Sequence, residues 1–432
     1  MQKVVMKRYI LTFAVIAALL ASCGGNTTKM PWEDDLNNKN EQTPNDKEEE
    51  EKENTDPSVQ DEIGKTLNPW SEGYLDIHTI STGRGECLLY ILPDGTTLVV
   101  DAGEFSRVHS DYANVGQRPN ALIRPSTTYA KYIRHFMPKS DTIDYFNISH
   151  FHMDHMGNME PEYTTTSADK GGYVLSGMTA LYQYVPFREV IDRAYPNYDT
   201  LKVTSASTDA LANYKKFCKY HKELKVSRFE LGKKNQFAMR FNPAAYPNFS
   251  IENVCANSHI WKNGQAVDIY PNKSRAENST SCGFVIRYGK FDFHAAGDIG
   301  DYEDLEYQVA TVVGQVEATK SHHHLSPHSN CKKAMNVLKP QVLVATSFYV
   351  REIQPDKSKF GYITEGGCNI YCTSVGEPLL IQYPAEYAAC RATSGHIVIR
   401  VEPNGDRFWV YVLDDTTSDF KVKRIDGPFI SK

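Results

Sequence analysis

The stretch S-H-F-H-M-D-H-M-G-N, residues 149–158, sets three histidines and an aspartate within six positions of a 432-residue chain that has only 14 histidines. Charge-balanced surface loops do not need such a cluster. Buried cores avoid it, because every imidazole and carboxylate taken out of water must be paired. The spacing His150-x-His152-x-Asp154-His155 suits coordination instead. Neutral imidazoles and a carboxylate bind zinc at about 2.0–2.2 Å, and a loop can turn alternate side chains toward two neighbouring ions.

The flanking sequence puts the cluster on a loop leaving a strand. Ser126 reads as the cap of a helix to about Met137, with Pro138 stopping it, and 142–149 reads as a short strand. Upstream, residues 76–104 (D-I-H-T-I-S-T-G-R-G-E-C-L-L-Y-I-L-P-D-G-T-T-L-V-V-D-A-G-E) hold two apolar runs about Pro93-Asp94-Gly95. That is hairpin chemistry, and the second strand ends at Asp101. Downstream, residues 281–300 (S-C-G-F-V-I-R-Y-G-K-F-D-F-H-A-A-G-D-I-G) repeat the pattern, turning at Tyr288-Gly289-Lys290 and delivering Asp298. A helix near Leu305 to Val313 then leads to G-Q-V-E-A-T-K-S-H-H-H-L-S, residues 314–326.

H-x-H-x-D-H-x-G is similar to the signature of the metallo-β-lactamase fold superfamily, and the order of the other motifs from Leu75 to Asp414 resembles it too. The resemblance implies an α/β (α+β) architecture, a four-layer αββα sandwich of two mixed β-sheets flanked by helices, with metals at the sheet edges. Lys320 and Ser326 around the tandem histidines, and Gly83-Arg84-Gly85-Glu86, resemble the competence-type (ComEC-like) branch. On that resemblance the metal ligands are His150, His152, Asp154, His155, Asp298 and His323, with Asp298 bridging. His324 becomes a neighbour in the pocket, catalytic together with Asp154, and His322 fits less well. Asp101 becomes a supporting group that holds a ligand imidazole in its tautomer. The implied cofactor is one or two Zn2+, with Mn2+ or Fe2+ as alternatives. One departure stands out. A third histidine for the first metal is not evident, and of His221, His259 and His294 the favoured one is His259, since a loop or strand-end residue reaches a site without disturbing a packed element.

A metal pair lowers the pKa of a bound water toward about 7, which makes hydroxide the expected nucleophile. The competence-type features favour a phosphoester or phosphodiester substrate, small or polyanionic. A lactonase or other ester or amide hydrolase is an alternative, and so is a non-catalytic surface binding lipoprotein. A diiron flavoprotein redox enzyme is disfavoured by His152, where such proteins usually carry Glu. Residues 201–250 hold 10 Lys or Arg against 3 Asp or Glu, with Lys215, Lys219 and Lys222 at helical spacing. That stripe fits either a polyanion-binding face or a solvated helix whose other side, Tyr214, Phe217 and Leu224, packs inward.

Outside the motifs, residues 1–23 combine basic residues, a short apolar run and Leu20-Ala21-Ser22-Cys23, which resembles a bacterial lipobox. The run is shorter than the ~20 residues a membrane span needs. A lipid anchor at Cys23 and a place in the bacterial cell envelope, periplasmic or surface-exposed, follow as expectations. Residues 24–70 are expected to be an acidic tether, and 71–432 the metallohydrolase domain. Residues 33–62 carry 13 acidic and 3 basic side chains, residues 1–32 carry four basic and none acidic, and the chain's net charge is −6, so 63–432 is neutral overall. Net charge therefore gives no support to a nucleic-acid partner. Of nine cysteines, Cys368 and Cys372 are a close pair without a second pair to complete a zinc site, so disulfides or buried thiols are expected.

Overall fold

The computed structural model describes residues 62–432 except 106–114, 160–170, 202, 205–207 and 349–352; Cys23 and most of the acidic segment lie outside the described residues. Two nine-stranded sheets carry the fold. The first runs Val422–Ile430, Arg407–Leu413, His396–Val401, Leu75–Thr79, Leu88–Ile91, Thr97–Val100, Tyr145–Asn147, Glu189–Asp192, Lys225–Arg228. The second runs Gln265–Asp268, His259–Lys262, Phe249–Ala256, Gly283–Tyr288, Phe291–Ala295, Ala318–Lys320, Val342–Ala345, Asn369–Cys372, Cys390–Ala392. Each sheet is antiparallel on one side and parallel on the other, the change coming at Thr97–Val100 in the first and Phe291–Ala295 in the second.

Side-chain alternation along the strands sorts the layers. Tyr90, Leu98 and Val100 of the first sheet share an interior with Phe284, Ile286 and Phe293 of the second, Tyr90 standing edge-on to Phe284 at 5.7 Å. The intervening residues Leu89 and Val99 face outward onto Tyr129 and Ile133 of the helix Pro125–Phe136 and onto Leu181 of Met178–Tyr184. Val285 of the second sheet likewise meets Leu305, Val309 and Val313 of the helix Leu305–Val313. The molecule is thus a four-layer αββα sandwich of two mixed sheets, as the resemblance implied.

Several details differ from expectation. Pro125 opens the first helix, with Arg124 as its N-cap residue and no side-chain cap bond. Ser126 sits inside the first turn, its hydroxyl toward Glu104 at 3.5 Å. The fixed φ of proline suits the first helical position, so no serine cap is needed there. The folded unit also begins before residue 71: Leu67 and Trp70 are buried, the Lys65 carbonyl accepts the Val422 N–H, and the Gly64 N–H donates to the Val422 carbonyl. The last segment, too short for a domain, instead supplies the edge strand Val422–Ile430. In the helix Thr208–Tyr220, Tyr214 and Phe217 are buried while Lys215 and Lys219 are exposed, which is the solvated-face arrangement. Among the described residues no helix is long and apolar enough to cross a membrane.

Candidate metal centre

Both halves use the same local plan. A hairpin ends in an aspartate, a helix crosses over, and the next parallel strand ends in a histidine loop. In the first half, Leu88–Ile91 and Thr97–Val100 lead to Asp101, the helix Pro125–Phe136 follows, and Tyr145–Asn147 leads to His150. In the second, Gly283–Tyr288 and Phe291–Ala295 lead to Asp298, Leu305–Val313 follows, and Ala318–Lys320 leads to His322. Parallel strands present their C-terminal ends at one edge, where open sheets expose functional groups.

At that edge Asp298 Oδ2 lies 3.0 Å from His155 Nε2 and 3.0 Å from His324 Nε2, and 4.0 Å from His150 Nε2. Asp154 Oδ2 is 3.2 Å from His324 Nε2 and 3.6 Å from His155 Nε2. Donor atoms of Asp154, His155, Asp298 and His324 all fall within 4.8 Å of one another. His150 Nε2 stands 3.0 Å from His152 Nδ1, and its ring packs 4.1 Å from that of His155. His150, His152, Asp154, His155 and Asp298, all expected at the centre, therefore come together with His324, from both halves of the chain.

The tandem histidines are arranged differently from the expected assignment. His324 joins the cluster, whereas His323 turns its Nε2 to Asn278 Nδ2 at 3.2 Å and its Nδ1 to Ser326 Oγ at 3.0 Å. Left-handed backbone at His323 (φ 41) and His324 (φ 56) separates the two rings, a bend that alignment on flanking residues could not anticipate. His322 is buried against Glu306, Nδ1 to Oε1 at 2.6 Å. None of the three candidates for a third histidine belongs to that four-residue cluster. His259 opens its strand opposite Asp268 and bonds the Asn257 carbonyl at 2.9 Å. His221 bonds the Tyr173 hydroxyl and Glu223, and His294 donates toward the Phe284 carbonyl.

Asp101 sits behind the cluster in the left-handed region, φ 64, which the short side chain of Asp tolerates. Its Oδ1 accepts the Ser149 backbone N–H at 2.8 Å, and its Oδ2 takes His155 Nδ1 at 2.8 Å. Gly103 permits the close approach that closes this corner, since a Cβ there would fall 1.6 Å from the Asp154 carbonyl oxygen. Beside it Glu86 is fully buried, accepting Lys320 Nζ at 2.7 Å and the Thr346 hydroxyl. Lys320 Nζ also lies 3.9 Å from Asp298 Oδ1. His324 Nδ1 is held by the Thr346 carbonyl at 2.9 Å, leaving Nε2 to face the carboxylates.

Burial would push the imidazoles of His155 and His324 down. The carboxylates around them win, carrying His155 well above the usual range and His324 to about 9, with Asp298 foremost in both. Burial would raise Asp298, but His155 and His324 hold it well below the ordinary carboxylate range. Asp298 and Asp154 thus favour positive charge at His155 and His324, the same field that favours a bound cation. His150 is different: burial, then His155 and His152, drive it well below its ordinary value, and a neutral imidazole is a ready ligand. The donor set fits divalent cations. Asp298 Oδ1 is buried with no hydrogen-bond partner, and the ligand imidazoles His155 and His324 have their far nitrogens tied to a carboxylate and a carbonyl, the arrangement that orients metal ligands.

Sequence reasoning missed the turn 277–282. Glu277, buried, accepts the Phe151 N–H at 2.8 Å and is paired with buried Arg193. Ser281 Oγ accepts the Asp298 N–H at 3.0 Å, and the Cys282 N–H reaches the Ser149 carbonyl at 2.8 Å. No spacing rule links Arg193 to Glu277 across 84 residues, so nothing in the primary structure signalled the pair.

No family model and no curated protein matches the chain. Among solved structures it is similar to a Cronobacter sakazakii metallo-beta-lactamase HARLDQ-motif protein, 12% identical over 60% of this chain and 78% of that one, TM-score 0.29. It is also similar to the short form of human tRNase Z, 10% identical over 73% of this chain and 89% of that one, TM-score 0.24.

Proposed function

We propose that the chain is a metal-dependent hydrolase of the metallo-β-lactamase fold superfamily, allied to its competence-type branch, that cleaves an anionic phosphoester or phosphodiester. The observation carrying this reading is the meeting at Asp298, where one carboxylate oxygen faces histidines from both halves and the other is buried without a hydrogen-bond partner. His150 and His152 would hold one divalent cation, and Asp154, His155 and His324 the other, with Asp298 between them. When bound, such ions supply Lewis acidity and an activated water.

The chain's own residues do the rest. Asp101 keeps the proton of His155 on Nδ1, so that Nε2 offers a lone pair. Asp154 and Asp298 would orient the attacking water as well as hold the ions. His323, half-buried beside Asn278, takes the part first expected of His324, stabilising the developing oxyanion or protonating the leaving oxygen.

The test is turnover of bis-p-nitrophenyl phosphate by the purified chain loaded with Zn2+ or Mn2+, beside a lactone and a β-lactam. Phosphodiester cleavage that is lost in His155→Ala supports the reading. Lactone or amide cleavage alone assigns the ester or amide alternative, metal without turnover of any substrate assigns the binding protein, and bound flavin with iron assigns the redox enzyme. We further propose, on the sequence of residues 1–23, a lipid anchor at Cys23 in the bacterial cell envelope. Incorporation of a labelled fatty acid that persists in Cys23→Ser would refute it.

A further inference from the structure

We propose that Glu277, locked in place by Arg193, is the positioning residue for the first-metal histidines, a role that rests on the metal-centre reading above. The H-x-H segment is His150-Phe151-His152, and alternation along an extended chain sends both imidazoles one way and Phe151 the other. A segment with one residue between two ligands holds its geometry only if that middle residue is fixed.

Phe151 is fixed at both its backbone and its ring. Its N–H donates to Glu277 Oε1 at 2.8 Å, and its fully buried ring lies under the Arg193 guanidinium, 4.5 Å from the ring centroid. Arg193 donates from Nε to Oε1 at 2.9 Å and from Nη2 to Oε2 at 2.7 Å, the forked pairing that fixes a carboxylate in its plane. Arg193 is in turn held to the second half, its carbonyl accepting Asn257 Nδ2 at 2.8 Å. Glu277 itself opens a turn whose next members grip other residues of the centre: Asn278 holds His323, and Ser281 Oγ accepts the N–H of Asp298.

One turn of the second half therefore sets the distance between the first half's H-x-H segment and Asp298. Glu277 touches no ligand ring and no reacting atom. Its carboxylate reaches the ligands through Phe151, directly at the N–H and by way of Arg193 at the ring, so its loss should fall on the ion held by His150 and His152 and spare the one held by Asp154, His155 and His324.

The experiment is zinc titration of the purified full chain against a chromophoric chelator, repeated with Co2+ and its visible spectrum, for wild type, Glu277→Gln, and the double variant Glu277→Met with Arg193→Met. The double variant leaves no buried charge behind, and Arg193→Lys is a milder change that keeps the charge while losing the fork and the stacking. Expected is a loss of about 10- to 100-fold in affinity for one equivalent, the range for partners that orient ligands. The second equivalent should be unchanged, and the Phe151 amide should exchange faster with deuterium. Two equivalents bound at wild-type affinity in all variants, or an equal loss at both, overturns the positioning role while leaving the metal centre intact. A wild-type chain that binds no metal overturns both.

Discussion

Replacing Asp101 by Asn tests the metal centre through one proton. The left-handed backbone at Asp101, φ 64, is as open to Asn as to Asp, and the two side chains have the same shape, so the fold should be undisturbed. What changes is the number of acceptors. Asp101 supplies one to the Ser149 N–H at 2.8 Å and one to His155 Nδ1 at 2.8 Å. Asn has a single acceptor oxygen, and the Ser149 backbone N–H can only donate, so the oxygen stays there and the NH2 turns to His155. That forces the His155 proton from Nδ1 to Nε2, the nitrogen 3.0 Å from Asp298 Oδ2 and the one that a cation needs. Loss of such an orienting partner weakens metal binding about 10- to 100-fold, or about 1.4–2.7 kcal/mol. Chelator competition measures the affinity, and long-range nitrogen–proton NMR reads the tautomer directly. An Asn variant that binds zinc as wild type does, with the His155 proton still on Nδ1, would refute the reasoning.

Other perturbations follow from the same geometry. Gly103→Ala brings a Cβ to 1.6 Å from the Asp154 carbonyl oxygen, whereas a carbon–oxygen contact needs about 3.3 Å. Asp154 must then move by more than about 1 Å, so a loss of about 100-fold in turnover and a lower melting temperature are expected in kinetics and calorimetry. His324→Ala should abolish tight binding of one zinc equivalent, while His323→Ala keeps both equivalents and loses turnover; the reverse pattern would restore the assignment made on flanking residues alone. Away from the site, buried Asp76 is paired with Arg400 at 2.7 Å, and although burial opposes it, Arg400 holds that carboxyl down at about 2. A carboxyl depressed on folding stabilises fully above its unfolded value of about 3.9 and loses that contribution as pH falls toward 2, about 2 kcal/mol here. Urea midpoints from pH 6 to 2.5 should therefore fall more steeply in wild type than in Asp76→Asn with Arg400→Met.

The legible part of the molecule was the part with short-range grammar. Two hairpins with turn residues at fixed offsets, each ending in an aspartate, fix strand pairs and the edge where they stop, and Leu305–Val313 reads as a helix from its apolar spacing and the glycine after it. His150, His152, Asp154 and His155 declare themselves because four donors share one loop. Backbone bends are another matter. The choice between His323 and His324 turns on left-handed conformations at non-glycine residues, which local sequence encodes weakly because both residues are the same type. Support from a distance is hidden altogether: Glu277 meets Arg193, and Glu86 meets Lys320, only after the two sheets pack. For the third histidine, residue type alone names candidates, and none of His221, His259 and His294 belongs to the cluster of Asp154, His155, Asp298 and His324.

Because the donors come from the edges of two sheets that meet only in the folded state, cation binding and docking of the sheets are one equilibrium. Asp101, His150, Asp154 and His155 belong to the first sheet's edge, Asp298 and His324 to the second's, and the interior between them is apolar, from Tyr90 and Leu98 to Phe284 and Phe293. An ion that needs both edges binds only the docked state and stabilises it by mass action, about 2.7 kcal/mol when free metal is 100 times its dissociation constant. Zinc should accordingly raise the unfolding midpoint of the whole domain in one cooperative transition, and by more in wild type than in Asp298→Asn, each measured against its own chelator-treated baseline. If zinc stabilised wild type and Asp298→Asn equally, the ion would be held by the first half alone, and the meeting of the two sheets at Asp298 would have no part in binding it.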